Sequence, residues 1–352
     1  MSHAILPSSV RARRPLLMIL KGLAISGALF LILRLVLNPE RTKTSLRSHS
    51  ASYKTFQSEE IPNKIWQTWH TPAMFLDDED KARVRTWHEQ NPNHRYELLT
   101  DKGGETFVRQ HFAGQPLIRD VFLNLTDTIL RADFLRYLVL LAEGKWLLWR
   151  WSQKLITSLG GVYADLDVEC RKPIVTWTPE ALKGRAAVVV GIEADRKPVK
   201  NDVELYYDYR EYIWGIANWT FMAKRGHPFM RFVAETVAMN LLKLAKKQQR
   251  SLSTMELSYK EVIDATGPRA FTEAFFAYAS RETGSPVSYE TATMLEEPKL
   301  IDDILLLPIR AMSTAEADRT GVMGAHSSTW PAVIFHWSAG TWKKTHFQRP
   351  EP

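Results

Sequence analysis

The stretch Gly160-Gly161-Val162-Tyr163-Ala164-Asp165-Leu166-Asp167 decides how this chain is interpreted. Two glycines lead into a short apolar run, and two carboxylates stand at its far end. The β-rich composition of 162–168 predicts a strand. Ligands of open α/β sheets bind beyond the carboxyl ends of the strands. Asp165 and Asp167 are therefore candidate ligands for Mg²⁺ or Mn²⁺, which would neutralise a diphosphate leaving group. Two solvated aspartates in a turn are the alternative.

The segment before this strand predicts a helix over 127–143, because its apolar residues recur at helical spacing. Asp133 and Arg136 are three positions apart and share one face of that helix. An ion pair within the helix is the ordinary explanation for such a spacing. If the helix packs against a sheet, however, these polar side chains need buried partners or a ligand.

Short β-rich runs and amphipathic runs alternate along the chain from Ile61 onward. The pattern predicts further strands over 64–69, 95–99, 186–192 and 212–223. It predicts helices over 82–90, from a Thr100-Asp101 cap to about His111, over 228–246 and over 268–282. This alternation predicts one Rossmann-like α/β domain, with a mostly parallel twisted sheet and helices on both faces.

The N-terminal region predicts a membrane anchor. Residues 16–37 are apolar except for two basic residues, two glycines and one serine, a length that suits a bilayer core. The basic cluster before them would keep residues 1–15 in the cytosol and place domain 61–352 in a lumen, a type II topology. The polar residues 38–60 predict a stem. A cleaved signal peptide is the alternative, although no small-residue cleavage site follows the apolar run.

The net charge of +7 belongs almost entirely to this N-terminal region. Residues 1–60 hold nine lysines and arginines against three acidic residues, which accounts for +6 of the total. The remaining chain is nearly neutral, so the basic composition does not indicate a nucleic-acid partner. Cys170 is the only cysteine, and no intrachain disulfide can form.

Several motifs in combination resemble a known family. The run Arg131-Ala132-Asp133-x-x-Arg136-Tyr137, followed by Gly-Gly-x-Tyr-x-Asp-x-Asp, is the signature of glycosyltransferases with the DxD sugar-binding region, glycosyltransferase family 32. The chain resembles the fungal initiation-specific α-1,6-mannosyltransferases of that family. The other matching segments are 61–69 (Ile-Pro-Asn-Lys-Ile-Trp-Gln-Thr-Trp), Trp87 with Asn91-Pro92, Gly226-His227-Pro228, Thr266-Gly267-Pro268 and 336–342 (His-Trp-Ser-Ala-Gly-Thr-Trp).

The resemblance implies a GT-A fold and a set of site residues. Asp165 and Asp167 would coordinate the metal and touch the donor sugar, while Asp133 and Arg136 would grip sugar hydroxyls and the diphosphate. His336 would be a third metal ligand, with a purely structural histidine as the alternative. The further donor-binding candidates are Ile65, Trp66, Gln67, Arg131, Tyr163 and Trp342. The candidates for acceptor contacts are Glu193, Asp195 and Asn218, for which ordinary loop polarity is the alternative.

The reaction implied by the resemblance is transfer of mannose from GDP-mannose, with Mn²⁺ or Mg²⁺, to a glycan or glycoprotein acceptor with retention of configuration. The implied location is the Golgi membrane, where the enzyme would initiate the outer chain of protein N-glycans, in a membrane complex with other glycosyltransferases. Three alternatives remain: mannosylation of inositol-phosphoceramide, an inactive family member, and a glycosidase with paired carboxylates.

An extra segment interrupts the signature. In the family the helix runs almost directly into Gly-Gly-x-Tyr, whereas here residues 145–160 lie between them. Removing them gives Leu-Ala-Glu-Gly-Gly-Val-Tyr, the expected join. The segment has three tryptophans and no acidic residue, and its ends can be encoded by intron-border sequences. We hypothesise that it is a retained intron in the gene model. A membrane-surface element and a loss of activity are the alternatives if it belongs to the protein.

Overall fold

The computed structural model describes residues 60–142, 159–195, 214–314 and 330–337. Ten strands lie in these ranges: β1 (Lys64–Thr68), β2 (Arg95–Leu99), β3 (Gly161–Ala164), β4 (Val168–Cys170), β5 (Val188–Asp195), β6 (Trp214–Ala223), β7 (Lys299–Ile301), β8 (Ile304–Leu307), β9 (Met312–Thr314) and β10 (Ile334–His336). Eight α-helices accompany them: α1 (Asp78–Gln90), α2 (Asp101–His111), α3 (Pro116–Asn124), α4 (Thr128–Leu141), α5 (Pro228–Gln248), α6 (Tyr259–Ala265), α7 (Pro268–Thr283) and α8 (Tyr289–Ala292).

Seven strands form one mixed sheet in the order β2-β1-β3-β6-β5-β8-β7. The pairs β1–β2, β1–β3 and β5–β8 are parallel, whereas β6 and β7 run against their neighbours. Five of the seven strands therefore share one direction, and the predicted mostly parallel α/β sheet is confirmed in that sense. A second sheet has the order β4-β10-β9. Its first strand, β4, follows β3 in the chain, so the two carboxylates after β3 lie between the two sheets in the sequence.

The strands of the main sheet bury both faces, because successive side chains point to opposite sides. On one face Trp66 and Tyr163 pack into a large core with helices α4, α5 and α7. On the other face Ile65 and Val162 pack with Trp87 of α1 and with the smaller sheet. Helices therefore lie on both faces as predicted, although the unpredicted small sheet covers part of the second face.

Helix α4 is the most deeply buried helix next to the site. Asp127 caps it, since its side chain accepts hydrogen bonds from the amides of Ile129 and Leu130. Every residue from Asp133 to Leu141 is buried. A helix with this burial has no solvated face over that stretch, so its charged residues must find partners inside the protein.

The predicted boundaries differ in accuracy among the elements. The strand over 95–99 is confirmed to the residue, and Thr100 caps α2 as predicted, its hydroxyl accepting from the amide of Gly103. Helix α1 begins four residues earlier than predicted, at Asp78, because Asp77 caps it through its side chain. Helices α3, α6 and α8 and strands β7 to β9 were not predicted, since their short runs lack a clear period.

The predicted anchor 16–37 and the stem up to residue 59 lie outside the described residues, as does most of the segment 145–160. Within the ranges that are described, no helix is long and apolar enough to cross a bilayer.

Gly160 and Gly161 allow β3 to enter the sheet. Gly161 has φ +108°, and a β-carbon there would lie 2.3 Å from the carbonyl oxygen of Lys64 in β1. Gly160 has φ +88°, and its β-carbon would lie 2.6 Å from the amide nitrogen of Arg225. Only glycine fits both the conformation and the space.

We therefore predict that Gly161→Ala destabilises the protein by at least about 2 kcal/mol, because it combines backbone strain with a backbone clash. Urea unfolding followed by circular dichroism measures the change. Gly114→Ala is the matched control, since a β-carbon there meets nothing within 4 Å. Equal stability losses in the two variants would contradict this role of Gly161.

Candidate functional site

Asp165 and Asp167 lie on a tight turn between β3 and β4. The amide of Val168 donates to the carbonyl oxygen of Asp165 at 3.2 Å, which closes a four-residue turn. The prediction of one strand over 162–168 is therefore wrong in its second half, because apolar residues alternate through the turn as they would in a strand. The amide of Asp165 donates to the carbonyl oxygen of Trp219 at 2.8 Å, which anchors the turn to β6.

The guanidinium group of Arg136 joins three elements at this turn. Its Nη2 lies 2.7 Å from Oδ1 of Asp133, on the same face of α4, as their spacing predicts. Its Nη1 lies 3.5 Å from Oδ2 of Asp165 and donates to the carbonyl oxygen of Asn218 at 3.1 Å. Helix α4, the turn after β3 and strand β6 are thus connected through one buried cation.

Burial perturbs the pKa values of these charged groups. It raises the pKa of Asp133, although Arg136 and the Thr266 hydroxyl act in the opposite direction. It raises the pKa of Asp165 to about 6, again opposed by Arg136. Burial also disfavours the charge of Arg136, but Asp165 and Asp133 raise the pKa of Arg136 above its ordinary value. The cluster therefore places two acidic side chains around one permanent cation.

Hydroxyl groups complete the carboxylate contacts. The Thr266 hydroxyl donates to Oδ2 of Asp133 at 2.8 Å, and the Tyr163 hydroxyl donates to Oδ1 of Asp165 at 2.7 Å. The same Tyr163 oxygen lies 3.0 Å from Oγ1 of Thr68. The roles of Thr266 and Thr68 were not predicted, although both lie in segments that match the family. Both oxygens of Asp165 therefore have protein partners.

Asp167 lies beside His336. The antiparallel pairing of β10 with β4 places His336 opposite Val168, and the amide of Trp337 donates to the carbonyl oxygen of Asp167 at 3.0 Å. As a result, Nε2 of His336 is 3.4 Å from Oδ1 of Asp167. Asp165, Asp167 and His336 do not form a ready metal site, because among the described residues no three His, Cys, Asp or Glu side chains are grouped so that they could hold a metal ion.

The strand-end residues of β1 lie beneath the turn. Gln67 is fully buried; its Nε2 donates to the carbonyl oxygen of Asp165 at 2.9 Å, and its Oε1 accepts from the Tyr96 hydroxyl at 2.6 Å. Trp66 and Ile65 are core residues on opposite faces of the sheet. The side chains of these three of the six predicted donor-binding residues thus contact protein, and Gln67 supports the backbone of Asp165.

Two predicted residues point away from the cluster. Arg131 lies 3.6 Å from Glu105 and over the ring of Phe122, because its position on α4 faces α2 and α3. Asp195 accepts hydrogen bonds from Oγ1 of Thr293 and from the amide of Met294, both at 2.6 Å. These contacts tie the end of β5 to a loop, and no sequence pattern indicated them.

The two remaining acceptor candidates are neighbours of Trp219: Asn218 precedes it in β6, and Glu193 is its hydrogen-bond partner. Asn218 is buried in β6 and its Nδ2 donates to the Tyr137 hydroxyl at 3.1 Å. Glu193 accepts a hydrogen bond from Nε1 of Trp219 at 2.7 Å. Trp342 lies outside the described residues.

A groove of about 510 Å³ lies between β1, β2 and α2, and it contains none of the acidic residues of the turn. Lys64 lines it; the ammonium group pairs with Glu97 and lies 3.9 Å above the ring of Trp66. Burial lowers the pKa of Lys64. The groove is separate from the turn, and the chemistry described above does not involve it.

Comparisons with known proteins assign the class of enzyme. No family model matches the chain. It is 28% identical over 309 residues to an initiation-specific α-1,6-mannosyltransferase of Candida albicans, covering 82% of this chain and 73% of that protein. It is 33% identical over 288 residues to the Schizosaccharomyces pombe protein of the same name, covering 81% of this chain and 64% of that protein. The chain is a glycosyltransferase.

The resemblance to fungal mannosyltransferases is therefore confirmed. This glycosyltransferase spans about two thirds to three quarters of the length of these two relatives. Among solved structures it is similar to the PaToxG glycosyltransferase, with 14% identity, a TM-score of 0.40, and coverage of 67% of this chain and 78% of that one.

We predict that Arg136→Met lowers the free energy of unfolding by about 3–5 kcal/mol at pH 7, because it leaves two buried carboxylates without their cation. The loss should shrink as the pH falls toward 4. Without Arg136 the pKa values of Asp133 and Asp165 rise further in the folded state, so the folded variant gains protons more readily than the unfolded chain. Urea unfolding between pH 4 and 8 measures both effects.

Arg131→Met is the matched control on the same helix. Its only ion pair in the described part of the chain is partly exposed, so the variant should lose no more than about 1 kcal/mol. A loss for Arg136→Met that is equally large at every pH would contradict the electrostatic explanation.

Proposed function

We propose that this glycosyltransferase transfers mannose from GDP-mannose to a glycan of a glycoprotein, as an α-1,6-mannosyltransferase of the Golgi that initiates the outer chain of N-glycans. The names of the two fungal relatives support the sugar and the linkage. The observation that carries the proposal for this chain is the turn itself: it presents Asp165 to the buried Asp133–Arg136 pair and Asp167 to His336 of β10.

The donor groups at the turn fit a hard divalent cation. Carboxylate oxygens and an imidazole nitrogen are ligands that Mn²⁺ accepts, and carboxylates also suit Mg²⁺. In the described ranges no three His, Cys, Asp or Glu side chains are grouped so that they could hold a metal ion. A metal bound by Asp165, Asp167 and His336 would therefore depend on further oxygens from a bound diphosphate. Its chemistry there would be to neutralise the negative charge that develops on the leaving group.

The protein side chains would supply position and electrostatics. The contacts of Tyr163 and Arg136 fix the carboxylate of Asp165, and Gln67 holds its carbonyl group from below. Arg136 would also place a positive charge next to a bound diphosphate. No side chain of the turn has to act as a nucleophile, since the donor's diphosphate oxygen can accept the proton of the attacking hydroxyl on the same face.

Gly160, the last residue of the extra segment 145–160, indicates how the chain would fold without that segment. Gly160 occupies a position that requires glycine, as its φ and its close approach to Arg225 indicate. Deletion of residues 145–160 places Gly144 directly before Gly161. The shortened chain therefore keeps a glycine at this position, which supports the hypothesis that it folds and is the active form.

We predict that the protein from which only residues 145–160 have been deleted hydrolyses GDP-mannose, or transfers its mannose, in the presence of Mn²⁺. Release of GDP and of mannose is measured across a panel of GDP- and UDP-sugars, for the chain with and without the segment. Asp167→Asn should lower kcat/KM by about 100-fold or more, because it removes negative charge from the proposed cation site. Asp78→Asn is the matched control, since Asp78 is fully exposed on α1.

Three outcomes would contradict the proposal. If neither form turned over any donor, the chain would not be an active enzyme. If only UDP-sugars were consumed, the assignment of mannose would fall. If Asp167→Asn and Asp78→Asn had the same activity, the turn would not be the donor site.

A further inference from the structure

We infer that Trp219, held by Glu193, is a positioning residue that fixes the imidazole of His336 toward Asp167. This inference rests on the proposed function, because it concerns the same turn. It assigns roles to Trp219 and Glu193 that differ from the expected acceptor contact of Glu193.

The side chains form a continuous chain of contacts. Nε1 of Trp219 donates to Oε2 of Glu193 at 2.7 Å. The indole ring stacks on the imidazole of His336, with ring centroids 4.2 Å apart and planes inclined by 26°. On the far side, Nε2 of His336 reaches Oδ1 of Asp167 at 3.4 Å. Each contact restricts the orientation of the next side chain, from Glu193 through Trp219 and His336 to Asp167 on the turn.

Trp219 is well placed to orient both parts of the site. Its carbonyl oxygen accepts from the amide of Asp165, so its backbone holds one end of the turn while its ring holds the imidazole at the other end. Only 6% of Trp219 is exposed, and a buried indole N–H needs an acceptor. Glu193 supplies a charged acceptor, which makes a stronger hydrogen bond than a neutral one. The ring plane of Trp219 is therefore set by this carboxylate.

The orientation of His336 is expected to affect how tightly a metal ion binds. Second-layer groups that fix the orientation of a metal-binding side chain typically change metal affinity by about 10- to 100-fold when they are removed. His336 belongs to a short strand at a partly exposed position, and its ring has a flat partner in Trp219. Loss of that partner should weaken the binding of a cation at Asp167 and His336.

The test is a titration of Mn²⁺ in the presence of GDP, with free Mn²⁺ measured by electron paramagnetic resonance and no sugar donor present. Trp219→Leu should raise the Kd for Mn²⁺ at least about 10-fold. Glu193→Leu should raise it in the same direction, whereas Glu193→Gln, which keeps an acceptor oxygen, should restore most of the affinity. Trp177→Phe is the matched control: Trp177 is buried in the core on the same face of the sheet, and its Nε1 donates to the carbonyl oxygen of Lys172.

A double-mutant cycle separates positioning from general packing. If Trp219 acts through His336, Trp219→Leu should change the Kd little in a His336→Ala background. An undiminished effect in that background would overturn the inference, as would equal effects of Trp219→Leu and Trp177→Phe. Wild-type protein that binds no Mn²⁺ would overturn it as well. Glu193→Leu keeps the test decisive if Trp219→Leu fails to fold, which thermal unfolding reports.

The result is distinguishable from a failure of the proposed function. If no sugar were transferred but the Mn²⁺ dissociation constants of the double-mutant cycle changed as expected, the proposed reaction would be contradicted and the positioning role would stand. Transfer of mannose together with a Kd unaffected by Trp219→Leu would remove the positioning role alone.

Discussion

The buried contact between Arg136 and its two carboxylates is the constraint on which the rest of the site depends. Arg136 lies on a helix with no solvated face in this region, so its charge is tolerated only because Asp133 and Asp165 lie within 3.5 Å. Such a pair contributes little net stability compared with apolar packing, but losing one member is costly. The pair therefore fixes the distance between α4 and the turn after β3.

This constraint explains why the site is built from parts distant in the sequence. The helix supplies the cation, β3 supplies the turn with Asp165, and β6 receives hydrogen bonds from both through the carbonyl groups of Asn218 and Trp219. The small sheet then brings His336 to Asp167 through backbone pairing. Backbone contacts place the elements, and side-chain contacts set the orientation of the charged groups.

Local features of the fold followed from the sequence, whereas the partners of individual side chains did not. The cap at Thr100 and the strand over 95–99 depend on neighbouring residues, so their patterns were informative. The turn at Asp165 was missed because its apolar alternation mimics a strand. The contacts of Arg131 and Asp195 depend on residues from other elements, and only the folded chain brings these together.

We propose, above all, that the turn holds a cation beside a diphosphate. The most direct measurement is anomalous diffraction at the manganese absorption edge from crystals grown with Mn²⁺ and GDP. We predict one strong peak within coordination distance of the carboxylates of Asp165 and Asp167 and the imidazole of His336. A bound GDP with manganese elsewhere, or with no manganese between the diphosphate and the turn, would contradict it.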